Sequence, residues 1–343
     1  MASESITEKA GTMSDLELAV LLGLIAGQHV LIRSNKAQKD LIAQEVELIC
    51  LNLVGLQTIR LHCHQTMTLE DLAESLLIDT RSGDDDSLAA DLALGSKRIA
   101  NAVVVENLDF APHAIQIQIL ELMRGKRMFT RNAVYSVPKR FIVVGLVTSP
   151  PTQTLNGMLN DHFFMSHTHL PEDDTPNVTK SNRTINGVEE SVSQRDSVRP
   201  GPLPSHQRTP PQRAFISVDE LESLKTLSTQ VKMNTEVRGY LHDIVVHLRM
   251  HRAAGGGVSA LATRHFHSLV NVMAPLHGVN YVTPSIVVLA ARKIYAHRLA
   301  VTKPEDERSL QWGSSLQAVR KLLDGVTVEG VIEDVLENVK PPL

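Results

Sequence analysis

The fold is decided by the stretch NAVVVENLDFAP at residues 101–112. Three consecutive valines, Val103 to Val105, form an apolar run without polar alternation, which is typical of a strand buried on both faces of a parallel sheet. Polar side chains follow at once with Glu106 and Asn107. Because ligands of open parallel sheets bind beyond the carboxyl ends of the strands, we expect a functional site at this point of the chain.

A strand, a loop and a helix are also predicted near the start of the chain. Residues 28–32 are mostly apolar, residues 33–40 are mostly polar, and residues 41–49 carry apolar side chains at helical spacing. This order is the context of a P-loop, in which glycines let backbone N–H groups surround the phosphates, a lysine binds the β- and γ-phosphates and a hydroxyl binds Mg²⁺. The loop here has no glycine. Read without a gap, it places Asp40 and Leu41 at the lysine and hydroxyl positions, and a shift by one residue brings in Lys39.

These segments resemble the motifs of the MoxR and magnesium-chelatase ATPase-subunit group of AAA+ proteins, and the resemblance covers nearly the whole chain. It implies an α/β fold of the P-loop NTPase (AAA+) type, with a parallel sheet core and a C-terminal helical lid domain. The segments that carry it are ENLDFAP at 106–112 against the family's DEINRAP, QIQILELM at 116–123, the predicted hairpin at 125–141, the sensor strand at 141–150 and YVTP at 281–284.

The charge-bearing positions of the family's nucleotide site are replaced in this chain. Asn107 stands where the family has the Walker-B glutamate, which orients the attacking water. Loss of an arginine finger alone costs on the order of 10³ to 10⁵ in rate. The resemblance therefore implies a catalytically degenerate AAA+ protein that acts as a binding or assembly module. Three further replacements are Ser149 for the sensor asparagine, His162 for the arginine of Asp-Arg-Phe and Leu261 for the sensor-2 arginine.

Two alternative functions stay open. An active ATPase of the magnesium-chelatase type would use Lys36 or Lys39 as the phosphate cation and Glu106 as the magnesium ligand. A nucleotide sensor that binds without hydrolysis would use Glu106 and Arg264, one helical turn past Leu261. We expect the protein to bind no cofactor. ATP and magnesium would be bound only if one of these two alternatives holds. The candidate nucleotide-binding residues, none of them catalytic, are Lys36, Lys39, Glu106 and Arg264.

Composition and length limit the class of protein. A chain of 343 residues predicts about two domains. The net charge of -4 argues against a general nucleic-acid binder, and neither a membrane span nor a secretory signal is predicted. The two cysteines, Cys50 and Cys63, give no disulfide framework, so we expect the cytoplasm, with the nucleus as the other compartment. A protein partner is expected, either a second copy or an active AAA+ relative.

The domain boundaries follow from a change in composition. Residues 171–213 contain no aromatic residue and few apolar ones, so they cannot bury enough surface to offset their ordering entropy. We predict a flexible N-terminus at 1–12, an AAA+ α/β core at 13–170, a disordered linker or insertion at 171–214 and a helical lid domain at 215–343. Trp312 is the only tryptophan, and we expect it to anchor the packing of the last helices.

Three histidines lie close together near the end of the predicted core. His162, His167 and His169 fall within eight residues of sequence, at about the spacing of a ligand cluster. Solvated side chains account for such spacing more often than metal ligands do. The sequence therefore predicts no metal site.

Overall fold

The computed structural model describes residues 2–79, 97–131, 133–149, 154–179 and 214–342, with the side chains of 2–6 and of residue 79 left aside. No helix in these ranges is both long and apolar enough to cross a membrane. The strands are, in chain order, β1 Val30–Ser34, β2 Thr58–His62, β3 Leu77–Asp79, β4 Lys97–Ile99, β5 Ala102–Glu106, β6 Arg127–Phe129, β7 Val134–Ser136, β8 Ile142–Thr148, β9 Met165–Thr168, β10 Ala254–Gly256 and β11 Ala300–Val301.

The helices divide between the two halves of the chain. Those of the first half are α1 Ala2–Gly11, α2 Asp15–Ala26, α3 Lys39–Val54, α4 Leu69–Ser75, α5 His113–Gly125 and α6 Gly157–His162. Those of the second half are α7 Val218–Gln230, α8 Thr235–Met250, α9 Ala260–Leu276, α10 Pro284–Tyr295, α11 Leu316–Leu323 and α12 Val328–Asn338.

The central sheet has five parallel strands in the order β2-β5-β8-β1-β9. All residues of β5 and β8 are buried, as the uninterrupted apolar runs predict. The register aligns Val103 with Val143 and Val30 with Val144, so the polar residues that follow each strand meet at one edge. The predicted α/β P-loop NTPase-type core with a C-terminal helical region is confirmed.

Two helices of the helical region begin at side-chain caps. Ser259 caps α9 by accepting from the N–H of Ala262, and Thr283 caps α10, which has Pro284 at its first position. The predicted hairpin at 125–141 forms through antiparallel pairing of β6 and β7. These features depend on neighbouring residues, which is why the sequence shows them.

Trp312 does not anchor the last helices, and that prediction is wrong. Its side chain is 88% exposed at the end of a short 3-10 turn. The last helices are held instead by buried valines, among them Val319, Val331 and Val335. Their helical spacing places them on the faces that pack inward.

The predicted linker at 171–214 lies mostly outside the described residues. Its first part, 171–179, lies against the core, where the buried carboxylate of Glu45 accepts from the backbone N–H groups of Asn177 at 3.0 Å and Val178 at 2.7 Å. The side-chain amide of Asn177 also donates to Glu45, at 2.8 Å. Ordered contacts therefore extend at least to residue 178, and the domain boundaries stay a prediction.

Candidate nucleotide site

The segment between β1 and α3 is a closed turn. Residues 36–38 form a 3-10 turn, and α3 begins directly after it. Asn35 holds this turn, because its Oδ1 accepts from the N–H of Ala37 at 3.5 Å and its carbonyl accepts from the N–H of Gln38 at 3.1 Å. Two N–H groups that a glycine-rich loop would direct at phosphates are therefore bound within the turn.

Lys39, the first residue of α3, points into the protein. Its side chain is only 7% exposed, and its Nζ donates to Oδ1 of Asn107 at 2.8 Å. The same Nζ lies 3.6 Å from Oδ1 of Asp109 and 5.6 Å from the ring centroid of Phe110. Burial lowers the pKa of Lys39, and the carboxylate of Asp109 opposes that shift. The cation nearest the expected phosphate site is thus already paired.

The turn after β5 brings Asp109 to this lysine. Asn107 has φ 52 and ψ 40, in the left-handed region, which asparagine adopts more readily than most residues. A short 3-10 turn follows, and Oδ2 of Asp109 accepts from the hydroxyl of Thr148, at the end of β8, at 3.2 Å. Sequence reasoning missed Asp109 because the family motif has an asparagine there. The acid in place of the family's asparagine was the available sequence signal.

Glu106 is buried and is engaged by β2. Its Oε1 accepts from Nε of Arg60 at 2.7 Å, and its Oε2 lies 3.2 Å from Nδ1 of His62. Register explains these contacts, because His62 pairs with Glu106 along the two parallel strands. Both oxygens that a magnesium ion would use therefore have protein partners.

The other two candidates do not join this group through hydrogen bonds. Lys36 is exposed on the 3-10 turn, although its charge lowers the pKa of Lys39. Arg264 is exposed on α9, where its charge helps to lower the pKa of His265. Neither side chain forms a hydrogen bond or an ion pair with another residue in the described ranges. Of the four predicted residues, Lys39 lies in the contact group that Asn107, Asp109 and Thr148 complete, and Glu106 reaches that group only through His62, whose Nδ1 lies 3.4 Å from the amide nitrogen of Asn107.

The backbone of Ser149 and the residue beside His162 make structural contacts. The N–H of Ser149 donates to the carbonyl of Ser34 at 2.8 Å, which joins β8 to β1. Next to His162, the carboxylate of Asp161 accepts from Arg298 at 3.1 Å and from Ser259 at 2.8 Å. These contacts connect the core to the helical region.

No protein-family model matches the chain. It is 31% identical over 113 residues to Maintenance of telomere capping protein 2 of Lachancea thermotolerans, and 27% identical over 105 residues to the protein of that name in Kluyveromyces lactis. The two matches cover 32% and 29% of this chain, and 40% and 38% of those relatives. The chain thus spans about two fifths of the length of the curated relatives it matches.

A solved structure matches over the full chain. The crystal structure of a putative ATPase from Cytophaga hutchinsonii superposes with a TM-score of 0.63, covering 100% of this chain and 95% of its own, at 14% sequence identity. The fold is of the AAA+ type. At this identity the likeness establishes the AAA+ fold alone, so the chemistry of the chain has to be argued from its own residues.

Proposed function

We propose that this AAA+ fold works without nucleotide hydrolysis, as a binding or assembly module whose phosphate site is closed by its own side chains. The observation that carries the proposal is the pairing of Lys39 with Asn107 and Asp109. In an active site of this type the lysine would be free to bind phosphate. Here its charge already stabilises the fold.

Electrostatics oppose the entry of a triphosphate at this position. A phosphate bound to Lys39 would lie roughly 5 Å from the carboxylate of Asp109, where two like charges repel by about 3 kcal/mol at an effective dielectric constant of 20. Displacing Asn107 and Asp109 from Lys39 would also leave buried polar atoms without partners, at a cost of about 1–3 kcal/mol each. The closed turn has few free N–H groups that could bind the phosphates and offset these costs.

Hydrolysis would lack its base even if a nucleotide entered. The amide of Asn107 cannot accept a proton from water, and its oxygen is bound by Lys39. Glu106 is held by Arg60 and His62. We therefore expect Asn107→Glu alone to leave the protein inactive, because the phosphate site stays closed.

The partner is proposed to be a protein. AAA+ nucleotide sites form between neighbouring subunits, so a member without its own site still presents an interface, either to a second copy or to an active AAA+ relative. The two curated relatives are named for the maintenance of telomere capping. We place the proposed assembly role in that process, through protein contacts rather than DNA contacts, since the net charge is -4.

Titration calorimetry with ATP, with and without Mg²⁺, tests the closed site. We expect no binding heat at millimolar nucleotide and no turnover above background. Micromolar binding that is lost in Lys39→Met would support a nucleotide sensor instead. Turnover near 1 s⁻¹, the low end for phosphoryl-transfer enzymes, that is lost in Glu106→Ala would show an active ATPase.

A second experiment tests the assembly role. Light scattering on the purified chain gives its oligomeric state, and affinity purification from the native cell identifies stable partners. We expect a self-assembled species or the stoichiometric recovery of another protein. A strictly monomeric chain that recovers no partner would contradict the assembly proposal while leaving the closed site intact.

A further inference from the structure

Two buried histidines at the edge of the central sheet have ring nitrogens without partners. Nε2 of His167 and Nδ1 of His169 are buried, and neither has a hydrogen-bond partner in the described part of the protein. Both side chains are only 3% exposed. A buried polar atom without a partner costs about 1–3 kcal/mol, so a pair of them at one place calls for an explanation.

The local backbone brings these rings together with a carboxylate. His167 lies on β9 opposite Ile32 of β1, and His169 follows the strand with its N–H bound to the carbonyl of Arg33 at 2.8 Å. Residues two apart on an extended chain point to the same side. The chain then turns so that the carboxylate of Asp173 lies near His169. Oδ2 of Asp173 holds this turn by accepting from the N–H of Leu170 at 2.8 Å.

From this arrangement we propose that His167, His169 and Asp173 bind a divalent transition-metal ion, at a site outside the contact group around Lys39. One ligand atom from each of the three residues lies within 4.8 Å of the others. Nδ1 of His169 and Oδ2 of Asp173 are already 3.8 Å apart. No other group of three such side chains in the described ranges comes as close together.

The distances allow a first-row ion after a small closure. Zinc bonds of about 2.0–2.1 Å in tetrahedral geometry place neighbouring ligand atoms about 3.3 Å apart. The widest separation therefore has to shorten by about 1.5 Å or less. Asp173 is the half-exposed member and can make that movement, while the two buried rings define the site.

The donor set selects the kind of ion. Two imidazoles and one carboxylate supply nitrogen and oxygen donors without a thiolate, which favours Zn²⁺ and similar divalent ions over Cu⁺. Ca²⁺ and Mg²⁺ prefer ligand sets made of oxygen. Three protein ligands leave a fourth position for water on the exposed side of Asp173.

Lys293 is the group that weakens the site. Its Nζ lies 3.2 Å from Nδ1 of His167 and orients that ring, and its ammonium repels a cation. When an ion binds Nε2 of His167, the proton on Nε2 leaves to solvent and a Lys293 proton moves to Nδ1, so one proton is released in total. The negative charges of Asp15 and Asp173 partly offset the charge of Lys293. Removing this ammonium should strengthen metal binding.

Zinc titration of the full, metal-free chain tests the proposal. Calorimetry should show one site with a Kd below about 1 μM, and Co²⁺ should give the visible absorption of a four-coordinate complex. We expect His169→Ala to weaken binding at least 100-fold, and Asp173→Asn, at a half-exposed position where the fold should tolerate it, about tenfold or more. Lys293→Met should tighten binding about tenfold.

The control is His64→Ala, which removes an exposed histidine and should leave the tight site unchanged. Circular dichroism of each variant separates loss of a ligand from loss of the fold. The proposal is overturned if the wild-type chain lacks a submicromolar zinc site, or if Asp173→Asn and His169→Ala bind zinc as the wild type does. Because ATP takes no part in this measurement, its failure is distinct from failure of the closed nucleotide site.

Discussion

Replacing Arg298 by methionine should destabilise the protein more than any surface change. The side chain of Arg298 is 1% exposed, and its guanidinium lies between the helical region and the core. It donates to the carboxylate of Asp161 at 3.1 Å and to the carbonyls of Asp161 at 3.0 Å, Ile294 at 2.6 Å and Phe164 at 3.3 Å, and also to that of Phe163. Burial lowers the pKa of Arg298 to about 10, and Asp161 opposes the shift, so the group stays charged at pH 7.

The expected cost is about 3–5 kcal/mol, the range found when one partner of a buried ion pair is removed. Single hydrogen bonds to charged groups contribute about 1.5–3 kcal/mol. Their sum over five bonds exceeds the expected cost, because neighbouring bonds to one group are not additive. For 343 residues, an unfolding entropy of about 2.1 cal/mol/K per residue converts each 1 kcal/mol into a Tm shift of about 1.4 °C, so the loss corresponds to about 4–7 °C.

Urea unfolding followed by circular dichroism measures this cost. The matched control is Arg292→Met, which breaks a bidentate pair with Glu333 in which both side chains are about half exposed. Such a pair contributes about 0–1 kcal/mol. Arg298→Lys keeps the charge but loses the fork geometry, and should fall between the two. If Arg298→Met costs no more than Arg292→Met, the assignment of Arg298 as the core-to-lid connection is refuted.

Three further predictions follow from single residues or segments. Burial lowers the pKa of His29 from 6.5 to about 3, and the charge of His162 is a smaller cause. Between pH 6.5 and 3 the unfolded state therefore binds more protons than the folded state, so the protein loses stability as the pH falls. This residue should account for about 2 kcal/mol of that loss at pH 5, and His29→Gln should reduce the difference between urea titrations at pH 7 and pH 5; an unchanged difference refutes the assignment. Because Trp312 is exposed, its fluorescence should resemble that of indole in water and should shift to the blue if a partner covers it. Trp312→Ala should lower the free energy of unfolding by less than about 0.5 kcal/mol. A blue-shifted emission of the isolated monomer would contradict the exposed position. Brief proteolysis should cut first between residues 180 and 213, because residues 177 and 178 are bound to Glu45 of the core, whereas first cuts within residues 103–147 would show that the predicted domain boundary is wrong.

The sequence by itself determined strands β1, β5 and β8, several helix caps and the absence of a glycine-rich phosphate loop. Strands β5 and β8 could be recognised because an uninterrupted apolar run needs burial on both faces whatever lies next to it. The caps at Ser259 and Thr283 depend on residues within one turn, so local sequence was enough. Loss of the glycines could likewise be read directly, because no other residue type allows the same close backbone approach to phosphate.

Only the tertiary structure determined which polar and charged side chains contact one another. Lys39 and Asn107 are 68 residues apart in sequence, and they touch because β1 and β5 end at the same edge of the sheet and Asn107 turns the chain back. The register of β2 against β5 places the carboxylate of Glu106 against Arg60 and His62, so it is not free to bind magnesium as the sequence predicted. Sequence spacing placed His167 and His169 close together, but only the turn of the chain after His169 brought Asp173 to them. Partners of this kind are set by long-range packing, which the local periodicity of a sequence does not encode.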